Sequence, residues 1–237
     1  ASAALLRALR LQTARSWGLY GGLFSLNLYA YLFSGLVAVA HAIYVLGLER
    51  RLSSTLRWFA GIMALSLLLF APWLLAVAAN SAQVDTVTDW LTVENRFGLL
   101  GLVKLWGYHL SLPFVDRGTL VLPLPLRLLL LLAHLVVRVS ILVAFYRLWR
   151  YAPLRVWLFV TSLTLVPALM LTLPDLIAGG KRSTVPRYLV PVYIGFELAL
   201  TGLLSGQLLA QSTQFKQHWR GYLWSGVTLL ILAAGLL

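Results

Sequence analysis

The sequence predicts an all-α fold, a polytopic integral membrane helical bundle, on three observations. Apolar side chains make up 60% of the 237 residues and charged ones only 11%, with a mean hydropathy of +0.86. A water-soluble domain carries about a quarter charged residues, so this chain has too little polar surface to face water on all sides. Several apolar runs approach the roughly 20 residues that a helix needs to cross a bilayer. The third observation is the placing of charge. Nineteen Lys and Arg stand against seven Asp and Glu, a net charge of +12, and the cations cluster at the ends of the apolar runs. There they set topology and attract anionic headgroups, which argues for a membrane and against nucleic acid as the partner. With no cysteine, disulfide and thiol chemistry are excluded.

The elements follow in order. Arg7, Arg10 and Arg15 precede an apolar stretch from Trp17 to Leu48. About 32 residues is too long for one straight crossing at 1.5 Å per residue, but suits two short helices. The turn between them is expected at Asn27-Leu28-Tyr29-Ala30-Tyr31, where polar and interface-loving aromatic residues gather. After Glu49-Arg50-Arg51 and Arg57, a run from Trp58 to Ala79 is the next crossing. From Asn80 to about Asn95 the chain reads as a loop, carrying Asp85, Asp89 and Glu94. Leu99, Leu102, Val103, Trp106 and Leu110 share one helical face, with Phe97, Gly101, Lys104 and Tyr108 on another. Such an amphipathic helix suits the headgroup layer, and is expected flat on the outer membrane surface. Further crossings cover roughly 119–146, 154–174, 188–210 and 221–237. The positive-inside rule puts the loops at 49–57, 147–155 and 211–220 in the cytoplasm and those at 80–117 and 175–187 outside. The total is about seven crossings, two of them short. The whole of 1–237 reads as one membrane-embedded domain.

One outer loop breaks the charge rule. Gly179-Gly180-Lys181-Arg182-Ser183-Thr184-Val185-Pro186-Arg187-Tyr188 carries three cations where Lys and Arg are usually scarce. The paired glycines open backbone shapes closed to other residues. Pro186 suits the start of a helix, which places Arg187 near free N–H groups that also favour anions. Guanidinium grips phosphate oxygens two at a time. The loop is therefore a candidate phosphate site, with lipid-headgroup contact as the plainer alternative.

A second constellation lies within the apolar spans. Arg127, His134 and Arg138 share one helix face, and Glu197 lies in the 188–210 run. Charges at membrane depth usually face the bundle interior with a partner, so an Arg138–Glu197 pair is expected and Arg127 is expected to snorkel outward. Such a pair either locks two helices together or lines a substrate path. Asp85, Asp89, Glu94, Asp116 and Asp175 read as solvated loop residues, and His41 and His109 as interfacial or helix-packing residues. No metal motif, nucleotide loop or nucleophile elbow is present; the sequence leaves a divalent cation open.

Three stretches resemble the C-terminal membrane-embedded part of bacterial glycosyltransferase family 39, in particular its ArnT-like and RgtA/B/C/D-like enzymes of the GT-C fold class. One is the Arg-rich lead from Ala8-Leu9-Arg10 to Trp17, followed by Asn27-Leu28-Tyr29-Ala30-Tyr31-Leu32-Phe33. It is similar to a "LYTHY"-like turn, with Ala30 and Tyr31 where Thr and His are usual. Another is Thr88-Asp89-Trp90. The third is Lys181 to Pro191, similar to the family's "RYLLP" stretch. The resemblance spans nearly the whole chain.

It implies a multi-pass enzyme of the bacterial cytoplasmic (inner) membrane. Such an enzyme moves a sugar from a polyprenyl-phosphate donor to a lipid or other cell-envelope acceptor, such as a glycan, at the periplasmic face. Arg187, with Lys181, Arg182 and Tyr188, would then bind the donor phosphate. The family's catalytic acid lies in the first periplasmic loop, which would fall upstream of Ala1. The chain, which begins without Met, would be a C-terminal portion, inactive alone. Two other readings remain: a transporter or flippase for a lipid-linked anion, using His134, Arg138 and Glu197, and a non-catalytic membrane scaffold. Neither an inverted repeat nor paired broken helices support transport.

Overall fold

A computed structural model describes residues 1–49, 53–91, 98–115, 123–213 and 224–230. Arg50, Arg51, Glu94, Phe97, Asp116, Arg117, Lys216 and Arg220, together with most of the 221–237 run, lie outside the described residues. Among those described, the chain is helical with no strand. Among the described residues, four helices are long and apolar enough to cross a membrane: Ser54–Ala79, Leu124–Tyr151, Leu154–Ile177 and Pro186–Gly206. The fold divides into two compact units, Ala1–Arg96 with Leu165–Tyr188, and Phe97–Thr164 with Leu189–Leu237.

The first unit opens with α1 (Ser2–Leu11), a helix read from the sequence only as an Arg cluster. It buries Ala4, Leu5 and Ala8 along one stripe while Arg7 and Arg10 stay exposed, the pattern of a helix lying on others. Gln12 ends it in the left-handed region, φ 51°, and Thr13 caps α2 (Ala14–Ala30) through a capping box with Ser16. α3 (Ser34–Leu48) follows after three residues, so the 17–48 stretch is indeed two short helices, broken slightly later than expected. Ser34 secures the break by donating its hydroxyl to Asn27 O at 3.0 Å.

Trp17, Tyr20, Phe24 and His41 form the buried centre of this unit, with Phe59 of α4 (Ser54–Ala79) stacked on Tyr20. His41 packs between helices, its ring nitrogens 2.9 Å from Tyr20 Oη and 3.0 Å from Ser2 Oγ. α4 buries only Phe59, Ser66 and Phe70. Gly21 lets α2 and α4 close up, because a Cβ there would stand 2.9 Å from Ile62 Cγ2. Pro72 interrupts the α4 ladder, and one turn earlier Tyr29 donates its hydroxyl to Leu69 O at 2.7 Å. Part of the expected loop after Asn80 is a further helix, α5 (Ser81–Thr88).

In the second unit, α6 (Leu99–His109) occupies the predicted amphipathic stretch. It buries Leu102 and His109 and leaves Leu99, Leu100 and Val103 exposed. α7 (Leu124–Tyr151) begins at Pro123, with Pro125 in its first turn, where a missing N–H costs nothing. Arg127 is exposed in that first stretch, as expected. Ala133, His134, Val137, Ile141 and Ala144 form its buried stripe. α8 (Leu154–Ile177) gives its first part to this unit and the rest to the other. α9 (Val190–Thr213) crosses α8 tightly at Gly195, where any Cβ would collide with Thr164. A further helical run covers 224–230.

Candidate functional site

The cationic loop of the first unit is built on a buried acid. Asp175, expected as a solvated loop residue, instead sits in the last turn of α8 at 3% exposure. A carboxylate at a helix C-terminus opposes the helix dipole, so it needs strong donors. It has three: Ser183 N–H at 2.6 Å and Ser183 Oγ–H at 2.7 Å, both on Oδ2, and Arg182 Nη1 at 3.3 Å on Oδ1. Arg182 also donates to Gly179 O at 3.3 Å. The chain can fold back over Asp175 only through Gly179 and Gly180, at φ 78° and 119°. Gly180 is required twice, since a Cβ there would also lie 2.8 Å from Leu91 O.

The rest of the loop is equally fixed. Lys181 N–H donates to Leu91 O at 3.0 Å, and Thr184 Oγ1–H returns to Lys181 O at 2.6 Å. Pro186 opens a 3-10 turn, Pro186–Leu189, that runs into α9, so Arg187 does sit at a helix start. Its exposed guanidinium lies 5.2 Å from the centre of the Tyr188 ring, with Nη2 3.4 Å from Tyr188 Oη. Tyr188 stacks on Phe33 at 4.0 Å, and Tyr31 donates its hydroxyl to Arg187 O at 2.5 Å. Burial, and after it the Tyr188 phenol, push the Tyr31 hydroxyl up to about 12, so it remains a neutral donor at physiological pH.

Of the four residues expected at a phosphate, Arg187 and Tyr188 are therefore joined. Arg182 is turned to Asp175, and Lys181 is half-buried with its backbone bound to Leu91. Sequence reasoning missed Asp175 and the Leu91 carbonyl. Tyr31 and Phe33 lay in a stretch already singled out, but nothing in the spacing joined them to residues 187 and 188.

The Arg138–Glu197 pair is not formed. Arg138 Nε instead donates to Ser111 Oγ at 3.3 Å, and Glu197 lies on the exposed side of α9. Spacing within two apolar helices could not reveal this, because Ser111 comes from a third segment just beyond α6. His134 Nδ1 is 2.9 Å from the same Ser111 oxygen, and His109 Nδ1 is 2.7 Å from Tyr193 Oη. No three His, Asp or Glu side chains are grouped to hold a metal among the described residues.

Among known proteins, no family model, no curated protein and no solved structure matches this chain.

Proposed function

We propose that this chain is part of a membrane glycosyltransferase, moving a sugar from a polyprenyl-phosphate donor to a lipid or cell-envelope acceptor. The reading places it in the bacterial cytoplasmic membrane with about seven crossings, α2 and α3 being the two short ones. α6 lies along the outer, periplasmic face. The single observation that carries the reading is a convergence in the first unit. The three stretches that resemble the transferase family meet: Tyr31 and Phe33 contact Arg187 and Tyr188, and Leu91, directly after Asp89-Trp90, binds Lys181. Segments that share a function are expected to meet in space, whatever their separation in sequence.

In this reading Arg187 grips the donor phosphate, its carbonyl held by Tyr31 and its guanidinium steadied on the Tyr188 ring. Cations there offset the charge that develops on the departing phosphate. Lys181 adds positive charge, while Arg182 shapes the loop through Asp175. Arg187→Ala in the full-length protein tests the assignment. Affinity for a polyprenyl-phosphate sugar should fall about tenfold or more, as for loss of one charged bidentate contact, with the thermal midpoint preserved. Unchanged donor affinity in a folded variant would refute the phosphate role.

A further inference from the structure

Arg138 lies near the middle of α7, about 20 Å from either end at 1.5 Å per residue. α7 is long and apolar enough to span a membrane, so this guanidinium stands at hydrocarbon depth, where an uncompensated charge is costly. No carboxylate lies within 4.0 Å of it among the described residues. Nor does its unit offer charge balance. The described cations there are Lys104, Arg127, Arg138, Arg147, Arg150 and Arg155, against Glu197 alone.

What Arg138 has is a neutral seat. Ser111 donates its hydroxyl to Tyr108 O, 3.1 Å from Oγ. The same oxygen accepts from Arg138 Nε–H at 3.3 Å and lies 2.9 Å from His134 Nδ1. This seat uses one of the five guanidinium N–H groups and fixes the side chain's direction. The four Nη hydrogens have no acceptor among the described residues, and the side chain is only half-buried. A guanidinium held by Nε with its fork unused is arranged for bidentate capture of an oxyanion.

We propose that Arg138, seated by Ser111 and His134, binds a phosphate-type oxyanion supplied from outside the chain. The proposal needs only that α7 spans a membrane and stands without the transferase reading. The anion reaches the site either as the headgroup of an amphiphile moving in from the bilayer, or as free phosphate moving in from water.

The test uses the full chain in a neutral detergent, with dodecyl phosphate as probe, inorganic phosphate as competitor, and binding followed by phosphorus NMR. Dodecyl phosphate affinity should fall at least tenfold in R138Q and several-fold in S111A, which keeps the charge but frees its seat. It should stay unchanged in R147Q, which removes a cation near the end of the same helix. Displacement by millimolar inorganic phosphate supports the site with a free-phosphate source; resistance supports it with a bilayer source. Equal losses in R138Q and R147Q, or none in R138Q, would overturn the proposal. If R138Q fails to fold, unchanged affinity in S111A overturns it instead.

Discussion

Asp175 and Ser183 are joined twice, the Ser183 amide at 2.6 Å and its hydroxyl at 2.7 Å both donating to one carboxylate oxygen. With the Arg182 contact on the other oxygen, this makes Asp175 the organiser of the cationic loop. A carboxylate buried this far is tolerable only because every donor is in place.

Asp175→Asn turns one acceptor oxygen into an NH2 donor and removes the charge opposite Arg182. Stability should drop by about 3 kcal/mol, the usual cost of breaking a buried charge-assisted network from one side. Thermal unfolding in detergent would register it. A midpoint equal to the native protein's would show that the loop does not depend on this acid.

Gly180→Ala should be equally damaging, combining a φ of 119° with a methyl group 2.8 Å from Leu91 O. A loss of about 2 kcal/mol or more is expected, with faster proteolysis within 179–188. Gly22→Ala is the counter-case. It lies inside α2 with nothing within 4 Å of the added methyl, and should stabilise by roughly 0.5–1 kcal/mol.

Tyr31→Phe deletes the donor to Arg187 O and should cost about 1 kcal/mol near neutral pH. The pH dependence has a definite sign. The folded-state value, about 12, exceeds the ordinary phenol value of 10, so folding disfavours ionisation. The stability the phenol contributes is fully present below pH 10 and is lost as pH rises from about 10 towards 12. The gap between native and Phe proteins should therefore narrow across that window, which midpoints at several alkaline pH values would reveal.

Gly195→Ala should separate α8 from α9, because the methyl would enter the space of the Thr164 side chain. Thr164→Ala removes the nearer of the obstructing atoms. The double variant should recover part of the loss, a coupling that a double-mutant cycle on thermal stability measures directly.

The long apolar helices were legible because burial in hydrocarbon imposes a length on the sequence. Trp58 to Ala79, 119–146 and 188–210 predict α4, α7 and α9 closely, and the aromatic cluster around Tyr29 predicts the α2–α3 break. α5 escaped because Ser81–Thr88 has no apolar stripe. α1 escaped because its arginines read as a topology signal, while Leu5 and Ala8, the residues that dock it, are too few to stand out. In the site, the cations and glycines were visible as a departure from the charge rule. Their partners were not: Asp175 reaches Ser183 only once two glycines reverse the chain, and Ser111 reaches Arg138 across 27 positions. Glu197 shows the reverse error, since two charges in apolar helices suggested a pair that the fold does not make.

The Tyr31 hydroxyl and the Arg187 carbonyl are separated by 156 positions. At roughly 5–20 residues per second, a ribosome needs about 8–30 s to travel between them. Through that interval the α2–α3 hairpin waits with its tyrosine uncommitted. The cationic loop is therefore a late product of biosynthesis, assembled only after α8 has been made. A nascent chain released before residue 187 would carry helices without the site.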